Sequence, residues 1–178
     1  MIFYTADMHF GHRNVIKFDG RPFRDTEEMD EYIIERWNER VSDRDTVYIL
    51  GDVCYRNAHP ASWYLKRLKG HKYLITGNHE KAVLSEPNAL KLLDGYDQIK
   101  TIRDGDKQIV LCHYPMAEWP GLFQEAWHIY GHIHNNKTMT YELMAKLKRA
   151  LNAGCMINNY VPVTFDELLE NNRRFREE

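Results

Sequence analysis

Five short polar blocks of the sequence together offer a set of metal ligands. The blocks are Asp7-Met8-His9, Gly51-Asp52, Gly77-Asn78-His79-Glu80, His113 and Gly131-His132-Ile133-His134. Carboxylate, imidazole and amide side chains in one set suit Mn²⁺, Fe or Zn²⁺ better than Ca²⁺ or Mg²⁺. Isolated histidines are usually surface or hydrogen-bonded core residues, as we expect for His59, His71 and His128. The clustered blocks instead predict a transition-metal site.

Each block follows a short apolar run that is typical of a buried β-strand. The third block follows Tyr73-Leu74-Ile75, and the other four follow similar runs. A glycine precedes a candidate ligand in three blocks, where it permits a turn and a close approach of the backbone. Because α/β proteins place their chemistry at the carboxyl ends of strands, we expect the five blocks to converge.

Taken in order, the blocks resemble the calcineurin-like metallophosphoesterase superfamily, in its compact single-domain bacterial and phage form. The Gly-Asn-His-Glu and Gly-His-x-His blocks are the most specific, and the set spans residues 7–134. Glu80 stands where many members carry Asp. The resemblance implies an α/β fold, namely an α/β/β/α sandwich of two mixed β-sheets flanked by helices. The metals would lie above the carboxyl ends of its strands.

The resemblance also implies a site with two divalent metal ions, Mn²⁺ first, with Fe, Zn²⁺ or Ni²⁺ as alternatives. The first metal would be held by Asp7, His9 and His134, and the second by Asn78, His113 and His132. Asp52 would bridge the two metals. An amide ligand adds no negative charge, so the two carboxylates leave about two positive charges uncancelled. Such a site attracts a phosphate group and acidifies a bridging water.

The activity implied is hydrolysis of a phosphodiester or phosphomonoester, possibly nucleotide-like, by metal-activated hydroxide. His79 and Asp52 would be catalytic, with His79 donating to the phosphate or protonating the leaving alkoxide. Glu80 would not bind a metal itself but would orient His79 or a ligand, as carboxylates do beside imidazoles. The presence of His79 favours a diester, because an alkoxide is a poor leaving group.

Two alternatives share the fold. The first is a metal-binding scaffold or interaction module, which the complete ligand set disfavours. The second is a structure-specific nuclease. The net charge of −2 and the lack of a basic stripe disfavour a long nucleic-acid partner. We therefore expect a small phosphorylated substrate, while the oligomeric state stays open.

Several connections carry candidate substrate contacts. The segment from Phe10 to Arg24 is predicted to be mostly loop because it contains Gly11, Gly20 and Pro22. Its polar residues that could reach the site are His12, Arg13, Asn14, Arg21 and Arg24. Among these we favour Arg13 and Asn14, which lie close in sequence to the ligands. Weaker candidates are Arg56, Asn57 and His59, and the aromatic residues Trp119 and Phe123, for which packing under a loop is favoured.

Periodicity and caps predict the remaining elements. The helices are one capped at Asp25 or Thr26 with an apolar face at Met29, Ile33, Trp37 and Val41, one over residues 60–68, one interrupted near Pro87, and a final helix capped at Thr164. The strands are a hairpin of residues 98–102 and 108–112 and two further strands at 150–155 and 161–163. Residues 135–148 are ambiguous between loop and helix.

Composition sets the broad class. With 178 residues, 43% of them hydrophobic, the chain is predicted to form one domain over residues 1–178. The three cysteines are far apart in sequence, which predicts buried reduced thiols rather than disulfides. No signal peptide is apparent, and no apolar run approaches the ~20 residues of a membrane span. We therefore expect a soluble cytoplasmic protein.

Overall fold

Two four-stranded sheets form the centre of the structure, a computed structural model that describes residues 1–56 and 58–177. The first sheet contains, in this order, β1 (Ile2–Thr5), β2 (Thr46–Ile49), β3 (His71–Ile75) and β4 (Gly95–Asp97). The second contains β5 (Ile99–Asp104), β6 (Lys107–Cys112), β7 (Trp127–Tyr130) and β8 (Ala150–Asn152). All neighbouring strands are parallel except β5 and β6, which form the predicted antiparallel hairpin.

The helices flank these sheets. They are α1 (Arg13–Phe18), α2 (Thr26–Arg40), α3 (Ala61–Arg67), α4 (Lys81–Leu84), α5 (Pro87–Leu90), α6 (Met139–Lys146) and α7 (Phe165–Glu177). Short 3₁₀ helices cover Leu122–Gln124 and Cys155–Asn158. No helix within the described ranges is long and apolar enough to cross a membrane.

The apolar residues divide into three layers because successive strand side chains point to opposite faces. In β1, Phe3 packs in the outer cluster with Trp37 of α2, whereas Tyr4 packs in the central cluster between the sheets. The central cluster also contains Ile109 and Ile129 of the second sheet. A third cluster covers the far face of that sheet and includes Met144 of α6. The predicted arrangement of two sheets between helices is therefore confirmed.

The first sheet is less mixed than expected. Its four strands are all parallel, and in the described part of the chain its antiparallel element is a single bridge between Tyr4 and Val163. The predicted strand at residues 161–163 is thus wrong, since Val163 contributes only that bridge. Strand β8 likewise ends at Asn152, where the chain turns towards a 3₁₀ helix.

The segment from Phe10 to Arg24 also differs from its prediction as mostly loop. It contains α1, which ends before the turn at Gly20. With six residues and Val15 as its one buried residue, this helix is too short to show an apolar period. Of the two predicted caps of α2, the cap is Asp25, whose carboxylate accepts the backbone N–H of Glu28 at 2.9 Å.

Candidate metal centre

Loops at the carboxyl ends of β1, β2, β3, β6 and β7 bring all seven predicted ligands together. One group of four contributes ligand atoms that lie within 4.8 Å of one another; its members are Asp7, His9, Asp52 and His134. In a second group, Asn78 Oδ1 lies 3.1 Å from His113 Nε2 and 2.9 Å from His132 Nδ1. The two histidine nitrogens of this group are 3.2 Å apart.

Asp52 joins the two groups. Its Oδ2 atom lies 3.4 Å from His9 Nε2 in the first group and 3.7 Å from His113 Nε2 in the second. Its other oxygen, Oδ1, accepts the backbone N–H of His79 at 3.0 Å. This hydrogen bond fixes the carboxylate, so one oxygen faces both groups. That is the position a bridging ligand requires.

The donor set fits divalent cations because its lone pairs converge. His113 Nδ1 lies 2.7 Å from the carbonyl oxygen of Leu50, and His134 Nδ1 lies 2.8 Å from Asp19 Oδ1. Each Nδ1 therefore carries the proton that it donates, and each Nε2 presents a lone pair to the site. Carboxylate and amide oxygens face the same space. One cation can be bound by the lone pairs of all these atoms together, whereas a proton cannot.

Asp7 adds buried negative charge. Its side chain is fully buried, and both oxygens accept the backbone N–H of His132, at 3.0 and 3.1 Å. Burial raises the pKa of Asp7 and lowers the pKa of His9. Burial thus disfavours the Asp7 anion, which a bound cation would stabilise, and it keeps His9 neutral, which is the form that can bind a metal.

Asp19 is a member of the site that sequence reasoning missed. Besides anchoring His134, it pairs through Oδ2 with the guanidinium of Arg21, at 2.9 Å. Burial opposes ionisation, but His134 and Arg21 hold the pKa of Asp19 below its usual range. The hydrogen bond to Asp19 in turn raises the pKa of His134 against the effect of its burial. The one sequence signal available for this role was that an acidic residue, Asp19, and a basic residue, Arg21, flank Gly20.

Arg21 does not face a substrate, so that prediction is wrong. The residue is 4% exposed, and its guanidinium donates to the carbonyl oxygens of Asp7 at 2.9 Å and Met8 at 2.8 Å. The resulting contacts hold the loop after β1 in place. Arg24 is exposed and pairs with Glu28 at the surface.

Glu80 holds the backbone behind the ligands. Its carboxylate accepts the N–H groups of Asp52 at 2.9 Å, Val53 at 3.0 Å, and Gly77. Burial raises the pKa of Glu80, which these donors oppose. A Cβ atom on Gly77 would lie 2.5 Å from Asp52 Oδ1, so only glycine permits this approach. Glu80 therefore orients the Asp52 loop through main-chain donors rather than through an imidazole.

Five of the predicted ligands adopt left-handed backbone conformations that non-glycine residues rarely occupy. They are Asp7, His9, Asp52, His132 and His134, with φ between 53° and 71°. Each conformation turns the chain sharply at the end of its strand. The side chains thereby point into the shared site.

A cavity of about 410 Å³ lies over the site. His79 and Asn14 line it, together with His12, Tyr55 and Arg56, whereas the exposed Arg13 does not. Asn57, another candidate, lies outside the described residues.

The remaining candidates lie elsewhere. His59 stacks on Trp63 at 4.0 Å between ring centroids, in a different cavity. Trp119 is buried in the third cluster, as favoured, and Phe123 is 86% exposed.

Comparisons with known proteins agree with this geometry. The family model of the calcineurin-like phosphoesterases matches residues 1–105, more than half of the chain. The chain is 31% identical over 171 residues to "Uncharacterized protein MJ1445" of Methanocaldococcus jannaschii, which covers 95% of this chain and 89% of that one. The "Gene 66 protein" of Mycobacterium phage L5 is 33% identical over 130 residues, 63% of this chain and 62% of that one.

A solved structure matches over almost the whole chain. It is a protein of unknown function, AQ665 from Aquifex aeolicus, with a TM-score of 0.73 and 26% identity over 96% of this chain and 98% of that one. Histidines 113, 132 and 134 lie beyond the segment that the family model matches, but the fold brings them to the ligands within it. The chain belongs to the calcineurin-like phosphoesterase family.

Proposed function

We propose that this chain hydrolyses phosphate esters with two divalent metal ions. Asp7, His9 and His134 would hold the first ion, and Asn78, His113 and His132 would hold the second. The observation that carries the proposal is the position of Asp52 Oδ2, within 3.4 Å of His9 Nε2 and 3.7 Å of His113 Nε2. One carboxylate oxygen shared by two ligand groups is the arrangement expected for a pair of cations.

Bound divalent cations supply the positive charge that attracts a phosphate ester and acidifies water beside it. Mn²⁺ is the favoured ion because the set mixes imidazole nitrogens with carboxylate and amide oxygens, with Fe, Zn²⁺ and Ni²⁺ as alternatives. The exposed side chains of Asn78 and His132 leave one half of the site open to a substrate.

His79 is the proton donor in this proposal. Its backbone is fixed by the hydrogen bond to Asp52, and its half-buried ring lies 5.5 Å from the ring of His9 and 4.2 Å from that of Tyr55, between centroids. The ring lines the cavity over the ligands, within reach of the leaving oxygen of an ester seated there. Glu80 supports His79 and Asp52 by holding the loop that contains Asp52.

The test begins with chelation, followed by separate addition of Mn²⁺, Zn²⁺, Fe²⁺ or Ni²⁺. Release of 4-nitrophenolate from 4-nitrophenyl phosphate and from methyl 4-nitrophenyl phosphate is then measured. We expect metal-restored turnover that Asp52→Asn abolishes. His71→Ala, at the opposite end of β3, is the matched control and should retain wild-type turnover.

A second comparison tests His79. His79→Ala should slow hydrolysis of an ester with an alkyl leaving group at least tenfold more than hydrolysis of a 4-nitrophenyl ester. The reason is that 4-nitrophenolate leaves readily without a proton. Equal slowing of both would refute its role as proton donor. No turnover of any ester, with metal binding established, would favour the scaffold alternative.

A further inference from the structure

A second cavity, of about 480 Å³, adjoins the metal centre. Its walls come from the loop after β6, the loop after β7 and the start of α6, and they include Tyr114, Thr138 and Thr140. Among the described residues, His132 is the one side chain that lines both this cavity and the cavity over the ligands. The ligand His132 therefore stands where the two spaces meet.

The chemistry of this second cavity suits an uncharged planar group with hydrogen-bonding atoms. Tyr114 is 46% exposed, and its ring centroid lies 4.7 Å from that of His132. Hydroxyl groups of Thr138 and Thr140 and the amide of Asn136 add donors and acceptors. Within the described chain no Asp, Glu, Lys or Arg lines it, so it offers no charge to a second phosphate group.

The two cavities can divide the two substituents of a phosphodiester. His79 lines the cavity over the ligands and not the second one, so the leaving oxygen must face the His79 side. A substituent that remains on phosphorus then extends past His132 towards Tyr114. A monoester has no such substituent and would leave the second cavity empty.

We infer that this second cavity, the Tyr114 cavity, binds a nucleoside that stays on phosphorus while a phosphodiester is hydrolysed. The inference rests on the proposed function and assigns its substrate class. In the reaction a water oxygen bonds to phosphorus, the bond from phosphorus to the leaving oxygen breaks, and that oxygen takes up a proton. The products are an alcohol and a nucleoside monophosphate.

Three esters with one leaving group test this assignment in the metal-loaded protein. They are 4-nitrophenyl phosphate, methyl 4-nitrophenyl phosphate and thymidine 5′-(4-nitrophenyl phosphate), and each releases 4-nitrophenolate. We expect kcat/KM for the thymidine ester to exceed that for the methyl ester by about tenfold, since stacking of one base on an aromatic ring supplies a factor of this order.

Substitutions in the Tyr114 cavity test whether it is the source of the preference for the thymidine ester. Tyr114→Ala should reduce the ratio of thymidine to methyl ester kcat/KM to near one, whereas Tyr114→Phe keeps the ring and should keep the ratio. Thr140→Trp fills the cavity without removing that ring and should also lower the ratio. Tyr96→Ala removes a tyrosine of similar exposure from β4 and serves as the control. The ratio is diagnostic because any disturbance of His132 slows both esters alike.

A ratio near one in the wild-type protein would overturn the inference, as would a ratio unchanged in both Tyr114→Ala and Thr140→Trp. In either case turnover of the methyl ester shows that the proposed function stands. Loss of the thymidine preference in those two variants alone supports the Tyr114 cavity. If metal restores no turnover of any of the three esters, the proposed function fails and the inference with it.

Discussion

Replacing Glu80 by glutamine tests how the ligand loops after β2 and β3 are held together. Two carboxylate oxygens accept three backbone N–H groups, from Asp52, Val53 and Gly77. Glutamine has one accepting oxygen, and its NH₂ group would face a donor. At least one buried N–H group therefore loses its partner in the variant.

The expected cost follows from these contacts. One unpaired buried N–H group costs about 1–3 kcal/mol, and two hydrogen bonds to a neutral oxygen are each about 1 kcal/mol weaker than those to a carboxylate. Removing a buried charge offsets part of this cost, since burial disfavours the Glu80 carboxylate. We expect the free energy of unfolding to fall by about 2–4 kcal/mol, which lowers Tm by about 4–16 °C in a domain of this size.

Urea and thermal unfolding, both in the presence of a chelator, measure this loss without a contribution from bound metal. Glu39→Gln is the control, because Glu39 is an exposed residue of α2 that pairs with Arg36. Its effect should stay below about 0.5 kcal/mol. If Glu80→Gln unfolds within that same margin of the wild-type protein, the Glu80 carboxylate does not hold the two loops.

Three further predictions address the metals and the buried acids. Mn²⁺ at about 100 times its Kd should stabilise the wild-type protein by about 2.7 kcal/mol in a thermal-shift assay. At the same Mn²⁺ concentration, Asp52→Asn should lose most of that stabilisation. Equal rises in Tm in the variant and the wild-type protein would contradict a bridging role for Asp52. Asp19→Asn should weaken Mn²⁺ binding about 10–100-fold in a calorimetric titration, because His134 loses its charged anchor; unchanged affinity would show that His134 needs no such anchor. Burial raises the pKa of Asp30 to about 7, so between about pH 4 and pH 7 the native state keeps a proton that the unfolded state releases, and stability falls as pH rises. With a chelator present, the wild-type protein should lose about 2 kcal/mol more than Asp30→Asn between about pH 5 and pH 7.5, and parallel losses would assign the titration to another group.

Strand ends were the predictable part of the site. An apolar run that ends at a polar candidate ligand can be recognised in the sequence alone. Parallel strands bring such ends to the same edge of a sheet. Asn78 and His113, 35 residues apart, are therefore in contact at 3.1 Å, as the five blocks required. The buried free cysteines were predictable for a similar reason, since sequence spacing alone argued against a disulfide framework.

Features that depend on tertiary contacts were not visible in the sequence. Asp19 acquires its role through His134, 115 residues away, and a basic residue on the other side of Gly20 is too common a pattern to distinguish it from a surface acid. Arg21 was a candidate phosphate contact, but its partners are the Asp19 carboxylate and the main-chain carbonyl groups of Asp7 and Met8. Strand β4 has three residues and no apolar alternation, and it is defined by its pairing with β3. The Tyr114 cavity arises from three separated segments.

The left-handed backbone at five ligand residues has a consequence for selection and engineering. Each such residue costs roughly 1 kcal/mol relative to an unstrained conformation, so together they cost about 5 kcal/mol, comparable with the entire stability of many domains. Glycine at any of these positions relieves the strain and removes a ligand at the same time. A screen of this chain for thermal tolerance in the presence of a chelator, without selection for turnover, would therefore enrich variants that have lost the metal centre.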